Sequence, residues 1–178
     1  VPWRMQQLRL AAAGFAARAS AAERSALAGW CQAEAAWLDD YALFMALSEA
    51  HEFEEWCLWP QALSRREPVA LARAAALHAE RIAFWKFCQW CFFRQWLGLK
   101  AYANKRGVQI VGDVPIFIGH HSAEVWSHQA LFELGADGRP TVVAGVPPDF
   151  FSATGQRWGN PLYRWEVHAR DGFAWWVE

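Results

Sequence analysis

Apolar residues recur at helical spacing through the first hundred positions of the chain. The first predicted helix covers residues 2–19, with a proline as its first residue, where proline is well tolerated. Ser20 and Glu23 have the spacing of a capping box, so a second helix should begin there and run to about Leu38. A third, short helix is predicted over residues 41–50, which makes this part of the chain mainly helical.

The longest apolar stripe predicts a helix from about Val69 to Arg106, preceded by a loop over residues 56–67. Gly107 follows at the position of a C-cap glycine. Residues 108–111 then form a short β-branched run, and an almost wholly apolar strand is typical of a parallel sheet buried on both faces. A helix, a tight glycine turn and a buried strand together form half of a βα repeat.

The pattern changes after Asp113, because residues 119–163 are rich in Gly, Pro, Asn, Asp and aromatic residues. Three short elements are predicted there: a helix at 123–131, a turn cluster at 135–140 and a strand at 141–143. Residues 146–163 show no clear period, and a loop of this length inside a compact domain is usually functional. The chain is predicted to be helical again from residue 164.

Charge and composition narrow the class of protein. The net charge is −1 and the basic residues form no stripe, so nucleic-acid binding is not expected. No run of 18 apolar residues is free of charge, so no membrane span is predicted. The chain contains no signal peptide, phosphate-binding glycine loop or G-x-S-x-G motif, and no cofactor is expected. It begins with Val1 rather than Met, which indicates an internal fragment.

The cysteines and histidines do not form a recognisable metal motif. Cys88 and Cys91 have C-x-x-C spacing, but they lie in the middle of a predicted helix among aromatic residues. We interpret them as reduced thiols, which agrees with a cytoplasmic location. No acidic or cysteine ligand stands at a known spacing from His120, His121 or His128, and adjacent side chains on extended backbone point apart. No metal is therefore predicted.

Two aspartates and one loop could carry chemistry. Asp113 would lie at the C-terminal end of a buried strand, the end that faces the active site in an α/β barrel; alternatively it caps a turn or helix. Asp149 is either a site residue or a turn aspartate that bonds to its own backbone. Residues 149–161 mix aromatic rings, amides and glycines, which suits sugar binding, or else form a loop packed on its own aromatics. The 13 tryptophans do not decide between these alternatives.

Several blocks of the sequence resemble glycoside hydrolase family 77, the amylomaltases or disproportionating enzymes. The resemblance covers roughly residues 30–178, and the blocks occur in the order found in the family. The matching blocks are Trp37–Leu47, Gln89–Trp96, Gly112–Phe117 with Ser122–Trp126, and Val143–Tyr163.

The resemblance implies an α/β fold that is part of a (β/α)₈ barrel with a helical insertion. Residues 1–106 would form a mostly helical portion of the barrel and its insertion. Residues 107–178 would supply a barrel strand, the signature substrate-binding loop and the start of the next helix, with the remainder of the barrel absent. Such a partial barrel exposes sheet edges and an apolar face, so the fragment is expected to associate.

The resemblance also implies transfer of an α-1,4-glucan segment to the 4-hydroxyl of another glucan, with retention of configuration. Retention requires a nucleophile and an acid/base carboxylate about 5–5.5 Å apart. The family nucleophile lies in an Arg-x-Asp-His motif, which this sequence lacks, and the acid/base and a third carboxylate come later still. We therefore expect no catalytic residue in this chain and no activity from it alone.

By resemblance, the chain positions α-1,4-glucans such as maltooligosaccharides. Asp113 is expected to bind sugar hydroxyls near the cleaved bond, and the loop residues are expected to line the glucan groove. The substrate-binding residues of that loop are Asp149, Phe150, Phe151, Gln156 and Trp158, and its shape is held by Asn160 and Tyr163. Two positions depart from the family: Phe150, where many relatives carry Tyr, and His121, where relatives often carry Asp.

Two other functions are compatible with these features. The first is a glucan-binding module without catalysis, which an Arg-x-Asp-His motif shortly after Glu178 in the parent reading frame would exclude. The second is a tryptophan-rich helical interaction protein without a sugar role. That function predicts no fluorescence change with maltooligosaccharides, and it leaves residues 143–163 unexplained.

Overall fold

The computed structural model describes residues 2–177, which separate into two compact units. The first unit comprises the chain up to Leu47 together with Ala74–Asp113. The second comprises Ser48–Arg73 and the chain from Val114 onward.

Helices form the first unit. Helix α1 covers Pro2–Arg18, α2 covers Ala21–Ala33 and α3 covers Ala35–Ala50, whose last turn belongs to the second unit. Helix α5 (Pro68–Leu77) enters the first unit at Ala74, and α6 (Ala79–Asn104) lies wholly within it. A four-residue helix, α4 (Gln61–Ser64), belongs to the second unit.

The predicted start of the second helix is confirmed. The Glu23 backbone N–H donates to Ser20 Oγ over 3.2 Å, and the Ser20 N–H donates to the Glu23 carboxylate over 2.8 Å. Its predicted end at Leu38 is wrong, because Glu34 leaves the helical conformation with φ −96° and ψ 8°. Helix α3 consequently starts before Tyr41, and the Trp37 indole N–H donates to Glu34 Oε2 over 2.7 Å across the junction.

The predicted long helix from Val69 to Arg106 is two helices that meet at His78. The His78 N–H donates to the Ala74 carbonyl and closes α5, and the His78 carbonyl accepts from the Ile82 N–H and opens α6. His78 interrupts the helical conformation, with φ −105° and ψ 21°.

The C-cap glycine is confirmed. Gly107 has φ +75°, its N–H donates to the Asn104 carbonyl, and the Val108 N–H donates to the Ala103 carbonyl. These two bonds form a Schellman motif.

The predicted strand at 108–111 is wrong for this chain. The backbone there joins no ladder with the described residues, and Val111 is 90% exposed. A parallel strand exists only where neighbouring strands accept and donate its hydrogen bonds. The two strands that residues 2–177 do form pair with each other.

Aromatic rings fill the core of the first unit. The Phe15 ring packs against the rings of Phe87 and Trp90, with centroids 5.2 and 5.4 Å apart. On α3 the buried residues are mainly aliphatic: Leu38, Ala42, Leu43, Phe44, Ala46 and Leu47. An ion pair between Lys86 and Asp39 joins α6 to α3. Burial of this ring and aliphatic surface stabilises the first unit.

The second unit contains short elements and one antiparallel hairpin. Strands β1 (Val143–Val146) and β2 (Gln156–Pro161) pair, with Val143 opposite Pro161 and Val146 opposite Gln156. The remaining elements are 3₁₀ turns at Trp56–Leu58 and Gln129–Leu131 and helices α7 (Ala123–Ser127), α8 (Trp165–Arg170) and α9 (Ala174–Val177).

Several boundaries in this unit differ from the predicted ones. The helix predicted at 123–131 ends at Ser127, before the second 3₁₀ turn. The predicted turn at 135–140 is confirmed, with Gly138 at φ +79°. The strand predicted at 141–143 begins at Val143, and the loop predicted at 146–163 contains β2. The alternation that identifies a strand is missing there, because the first four residues of β2 are all exposed.

All four cysteines are free thiols, as predicted. Among residues 2–177, no helix combines the length and the apolar character that a membrane crossing demands.

Candidate functional site

The β1–β2 hairpin forms the frame of the candidate sugar site. Its two strands lie close at glycines, since a Cβ on Gly145 would be 2.5 Å from the Gln156 carbonyl oxygen. A Cβ on Gly155 would be 2.6 Å from the Val146 carbonyl oxygen, and Gly155 has φ +72°. Both positions therefore require glycine for the strands to approach as they do. A bulge between Val143 and Gly145 interrupts the ladder.

Asp149 organises the tip of the hairpin. Its Oδ1 accepts the backbone N–H groups of Phe151 and Ser152 over 2.9 and 2.8 Å. The Asp149 N–H in turn donates to the Ser152 carbonyl over 2.9 Å, and Ser152 Oγ donates to the Gly155 carbonyl over 2.7 Å. Asp149 is therefore a turn aspartate that bonds to its own backbone, as one of the two interpretations predicted, and its Oδ1 is occupied by these bonds.

Phe150 and Phe151 project from this braced tip into solvent. Phe150 is 98% exposed and Phe151 is 88% exposed. Their ring centroids are 5.6 Å apart and the ring planes are nearly perpendicular, at 87°. Two adjacent phenylalanines held in water by an ordered loop form an apolar patch of the kind that marks a binding surface. The alternative in which the loop packs on its own aromatics does not describe these two rings.

A second aromatic surface lies on β2. The Trp158 indole N–H donates to Gln156 Oε1 over 3.0 Å, which fixes both side chains. The Trp158 ring packs edge-on against Phe117, with centroids 5.6 Å apart, and remains 48% exposed. An indole face beside an amide is suited to a sugar, because the ring stacks on the C–H face and the amide bonds to hydroxyls.

Phe117 is a contributor that sequence reasoning did not assign to the site. It is the last residue of the Gly112–Phe117 block, which resembles the family. The resemblance did not indicate which side chain of this block would contact Trp158. Phe117 also lines a cavity of about 510 Å³ beside the start of β1. The other lining residues are Ile116, Glu133, Thr141, Val142, Leu162, Tyr163 and Trp165.

Tyr163 anchors the segment that carries Phe117. Its ring is buried between Phe132 and Trp176, with centroids 5.2 and 4.9 Å away, and its hydroxyl donates to the Ile116 carbonyl over 2.7 Å. Burial raises the pKa of the Tyr163 phenol, so the phenol remains a donor at neutral pH. Asn160, also expected to support the loop, is half-buried near the end of β2.

Asp113 belongs to the other unit. It is exposed on the irregular segment that follows Gly107, and it ends the first unit. The structure therefore brings together Gln156, Trp158 and the unpredicted Phe117, and it places Phe150 and Phe151 side by side at the tip.

Comparison with known proteins identifies the family. The model of the 4-alpha-glucanotransferase family, glycoside hydrolase family 77, matches residues 1–178. The chain belongs to this family. A 4-alpha-glucanotransferase of Thermus thermophilus is 55% identical over 175 residues, which is 98% of this chain and 35% of the relative. A Synechocystis 4-alpha-glucanotransferase is 44% identical over 179 residues, covering all of this chain and 35% of the relative.

The fold of the family 77 chain also matches a solved structure. Amylomaltase from Streptococcus agalactiae in complex with acarbose superposes with a TM-score of 0.91 at 39% identity, covering 99% of this chain and 35% of that one. The chain thus spans about a third of the length of the relatives it matches. The family predicted from the sequence blocks is confirmed.

Proposed function

We propose that this chain is the glucan-positioning part of a 4-alpha-glucanotransferase, which transfers an α-1,4-glucan segment to the 4-hydroxyl of another glucan. The observation that supports it best is the solvent-exposed Phe150–Phe151 pair on a loop held by Asp149. A braced aromatic pair offers flat apolar faces to sugar rings with little ordering left to occur on binding.

The residues have separate roles in this proposal. Phe150 and Phe151 stack on the acceptor side of the glucan, while Trp158 and Gln156 hold the ring and hydroxyls of a neighbouring sugar. Asp113 binds hydroxyls near the cleaved bond. Asp149 acts mainly by fixing the tip through its Oδ1, and Asn160 and Tyr163 keep the segment in place. The acarbose bound to the Streptococcus agalactiae amylomaltase supports an α-glucan as the ligand.

Covalent chemistry is assigned to residues outside this chain. A retaining double displacement needs two carboxylates about 5–5.5 Å apart, one as nucleophile and one as acid/base. The Arg-x-Asp-His motif that carries the nucleophile in the family is absent from these 178 residues. The contribution of this chain is therefore orientation, which lowers the barrier by holding donor and acceptor in a reactive arrangement.

Residues 108–111 and the apolar side chains that follow them bear on the fold of the longer protein. We infer that residues 108–111 become a strand of a (β/α)₈ barrel in the longer protein, with the helical unit as a barrel portion and its insertion. The exposed apolar side chains of Val111, Val114 and Ile116 support this inference, because they lack the neighbours a barrel would supply. Association of the isolated chain through exposed apolar side chains follows from it. The free thiols agree with a reducing cytoplasm as the compartment.

Incubation with maltotriose tests the division of roles. The folded 178-residue chain is expected to release no glucose and to form no longer maltooligosaccharides. The complete enzyme carrying the same residues is expected to form both. Products from the chain alone would assign the covalent step to Asp113, Asp149 or another carboxylate present here.

A second experiment tests the acceptor side. Phe150→Tyr in the complete enzyme adds a hydroxyl at the tip, and a neutral hydrogen bond contributes roughly 0.5–1.5 kcal/mol. We expect acceptor KM to change about two- to tenfold, which is the fold-change that this energy corresponds to, and donor KM to stay unchanged. Unchanged acceptor kinetics would remove Phe150 from the acceptor site.

A further inference from the structure

Glu55, Cys57 and His120 bring three different ligand atoms together in the second unit. A carboxylate oxygen, a thiol sulfur and an imidazole nitrogen lie within 4.8 Å of one another. The sulfur is 3.7 Å from Glu55 Oε2. In a tetrahedral zinc site, bond lengths of about 2.3 Å to sulfur and 2.0–2.1 Å to nitrogen or oxygen place neighbouring ligand atoms roughly 3.3–3.7 Å apart. Small side-chain adjustments would therefore bring these three atoms to ligand spacing.

The hydrogen bond at the His120 ring prepares it for this role. His120 Nε2 lies 2.8 Å from the Gly138 carbonyl oxygen. A carbonyl oxygen can only accept, so in the neutral ring Nε2 carries the proton and Nδ1 is the nitrogen left to bind an ion. Histidines that bind metals almost always donate their other N–H to a carbonyl or carboxylate in this way.

Trp56 supports both segments that carry the ligands. It stands between Glu55 and Cys57 in the first 3₁₀ turn and is only 1% exposed. Its indole N–H donates to the His120 carbonyl over 2.7 Å, and its ring lies 5.0 Å from the His120 ring. Packing is tight on the other side as well, since a Cβ on Gly138 would be 2.8 Å from the indole. The ligand-bearing backbones are thus held in place before an ion binds.

We propose that Glu55, Cys57 and His120 form a zinc site with a fourth position for water. Thiolate, imidazole and carboxylate are all zinc ligands, and a thiolate disfavours magnesium and calcium. Cys57 and Gly138 line a cavity of about 450 Å³, so the sulfur side of the site borders open space. The bound ion would fasten the first 3₁₀ turn to the His120 segment. The sequence did not indicate this site because its ligands come from distant segments with no motif spacing.

The Arg139 charge and the Cys57 proton both oppose zinc binding. Arg139 Nη1 lies 3.8 Å from Glu55 Oε2, so its charge competes with a cation for that carboxylate. Burial raises the pKa of the Cys57 thiol, so zinc has to displace a proton from the sulfur. Arg139→Gln removes the competing charge and is expected to tighten binding.

Zinc titration of the reduced, chelator-treated 178-residue chain tests the site. We expect one zinc per chain by calorimetry, a raised thermal midpoint, and thiolate-to-metal absorption when cobalt replaces zinc. Cys57→Ser should abolish the absorption, and Cys57→Ser and Glu55→Gln should each weaken zinc binding at least about tenfold, the lower bound for losing even a supporting group. The control is the double variant Cys88→Ser/Cys91→Ser, which keeps the site.

Glu55 and Cys57 test the ligand set independently. Glu55 is exposed, so Glu55→Gln reports on zinc binding even if Cys57→Ser perturbs folding, which tryptophan fluorescence monitors. Absence of zinc binding by the wild type would overturn the proposal. Wild-type affinity in both Glu55→Gln and Cys57→Ser would also overturn it, as would loss of binding in the Cys88/Cys91 double variant.

Discussion

The Trp158 indole N–H donates to the side-chain oxygen of Gln156 over 3.0 Å, so two residues separated by one position on β2 act as a unit. The bond turns the indole so that it packs against Phe117 with one part still exposed. In the proposed function, the contribution of Trp158 to sugar binding therefore depends on Gln156 as well as on its own ring.

Gln156→Ala in the complete enzyme tests this dependence. The variant loses the amide and the bond that orients Trp158, and one neutral hydrogen bond is worth roughly 0.5–1.5 kcal/mol. We expect a two- to tenfold rise in KM for maltooligosaccharides, the kinetic equivalent of about that energy. Trp3→Ala, which removes an exposed tryptophan from α1, is the control and should leave KM unchanged. Equal KM values for wild type and Gln156→Ala would show that the pair does not bind sugar.

Asp149 can act through its hydrogen bonds or through its charge, and two variants separate these roles. Asp149→Asn keeps an oxygen that can accept the N–H groups of Phe151 and Ser152, and asparagine is favoured in such turns. Asp149→Ala removes that acceptor. We expect transfer activity of the complete enzyme to fall about tenfold or more in Asp149→Ala, corresponding to loss of two hydrogen bonds. Asp149→Asn should retain most of it.

The opposite pattern would assign Asp149 a direct role. If Asp149→Asn loses as much kcat/KM as Asp149→Ala, the negative charge itself contacts the glucan. Circular dichroism of both variants checks that the overall fold is kept. Because the affected groups all lie at the hairpin tip, the spectra should match that of wild type.

Much of the first unit could be predicted because its signals are local. Ser20 and Glu23 form their capping box within four residues, and Gly107 ends α6 through bonds to the last helical turn. The break at His78 gave no such signal, because neither glycine nor proline marks it.

Predictions that depended on partners distant in sequence were less successful. Residues 108–111 have the composition of a buried strand, but a strand needs neighbours, and residues 2–177 provide none for it. Strand β2 was missed because its exposed polar and aromatic positions do not alternate. The candidate site residues were predicted from the family resemblance and stay a prediction, whereas the contact between Phe117 and Trp158 required the folded hairpin.

Gly155 and Gly159 form a matched pair for testing the hairpin frame. Both have positive φ, +72° and +82°, so alanine at either position costs about 1–3 kcal/mol of backbone strain. A Cβ at Gly155 would also be 2.6 Å from the Val146 carbonyl oxygen, while nothing lies within 4 Å of a Cβ at Gly159.

Gly155→Ala is therefore expected to lower the urea midpoint more than Gly159→Ala and to reduce transfer by the complete enzyme. The clash involves backbone atoms, which cannot move aside as a flexible side chain can. Equal effects of the two variants on the midpoint would mean that strain alone, and not the approach of β1 to β2, makes glycine necessary at position 155.

The stability of the second unit should depend on pH through Glu124. The interaction with His128 is the main cause of a lowered Glu124 pKa, and the Trp175 indole N–H, which donates to Oε2 over 3.2 Å, lowers it further. Burial acts in the opposite direction. A folded-state pKa below the unfolded value of 4.5 means that the unfolded chain binds the proton first as pH falls. The stabilisation is therefore complete above about pH 4.5 and is lost as pH falls through the folded pKa.

Urea unfolding of wild type and Glu124→Gln measures the contribution of the Glu124 carboxylate to stability. The measurements run from about pH 3 to about pH 7, which covers the titration of one carboxyl group. The difference between the two midpoints should be larger above about pH 4.5 than at about pH 3, because it shrinks as Glu124 is protonated. Trp175→Phe keeps a ring in the aromatic cluster and removes one donor, so its midpoint should fall by less than that of Glu124→Gln at neutral pH. A midpoint difference that is constant across this range would show that Glu124 stabilises the unit by packing, independently of its charge.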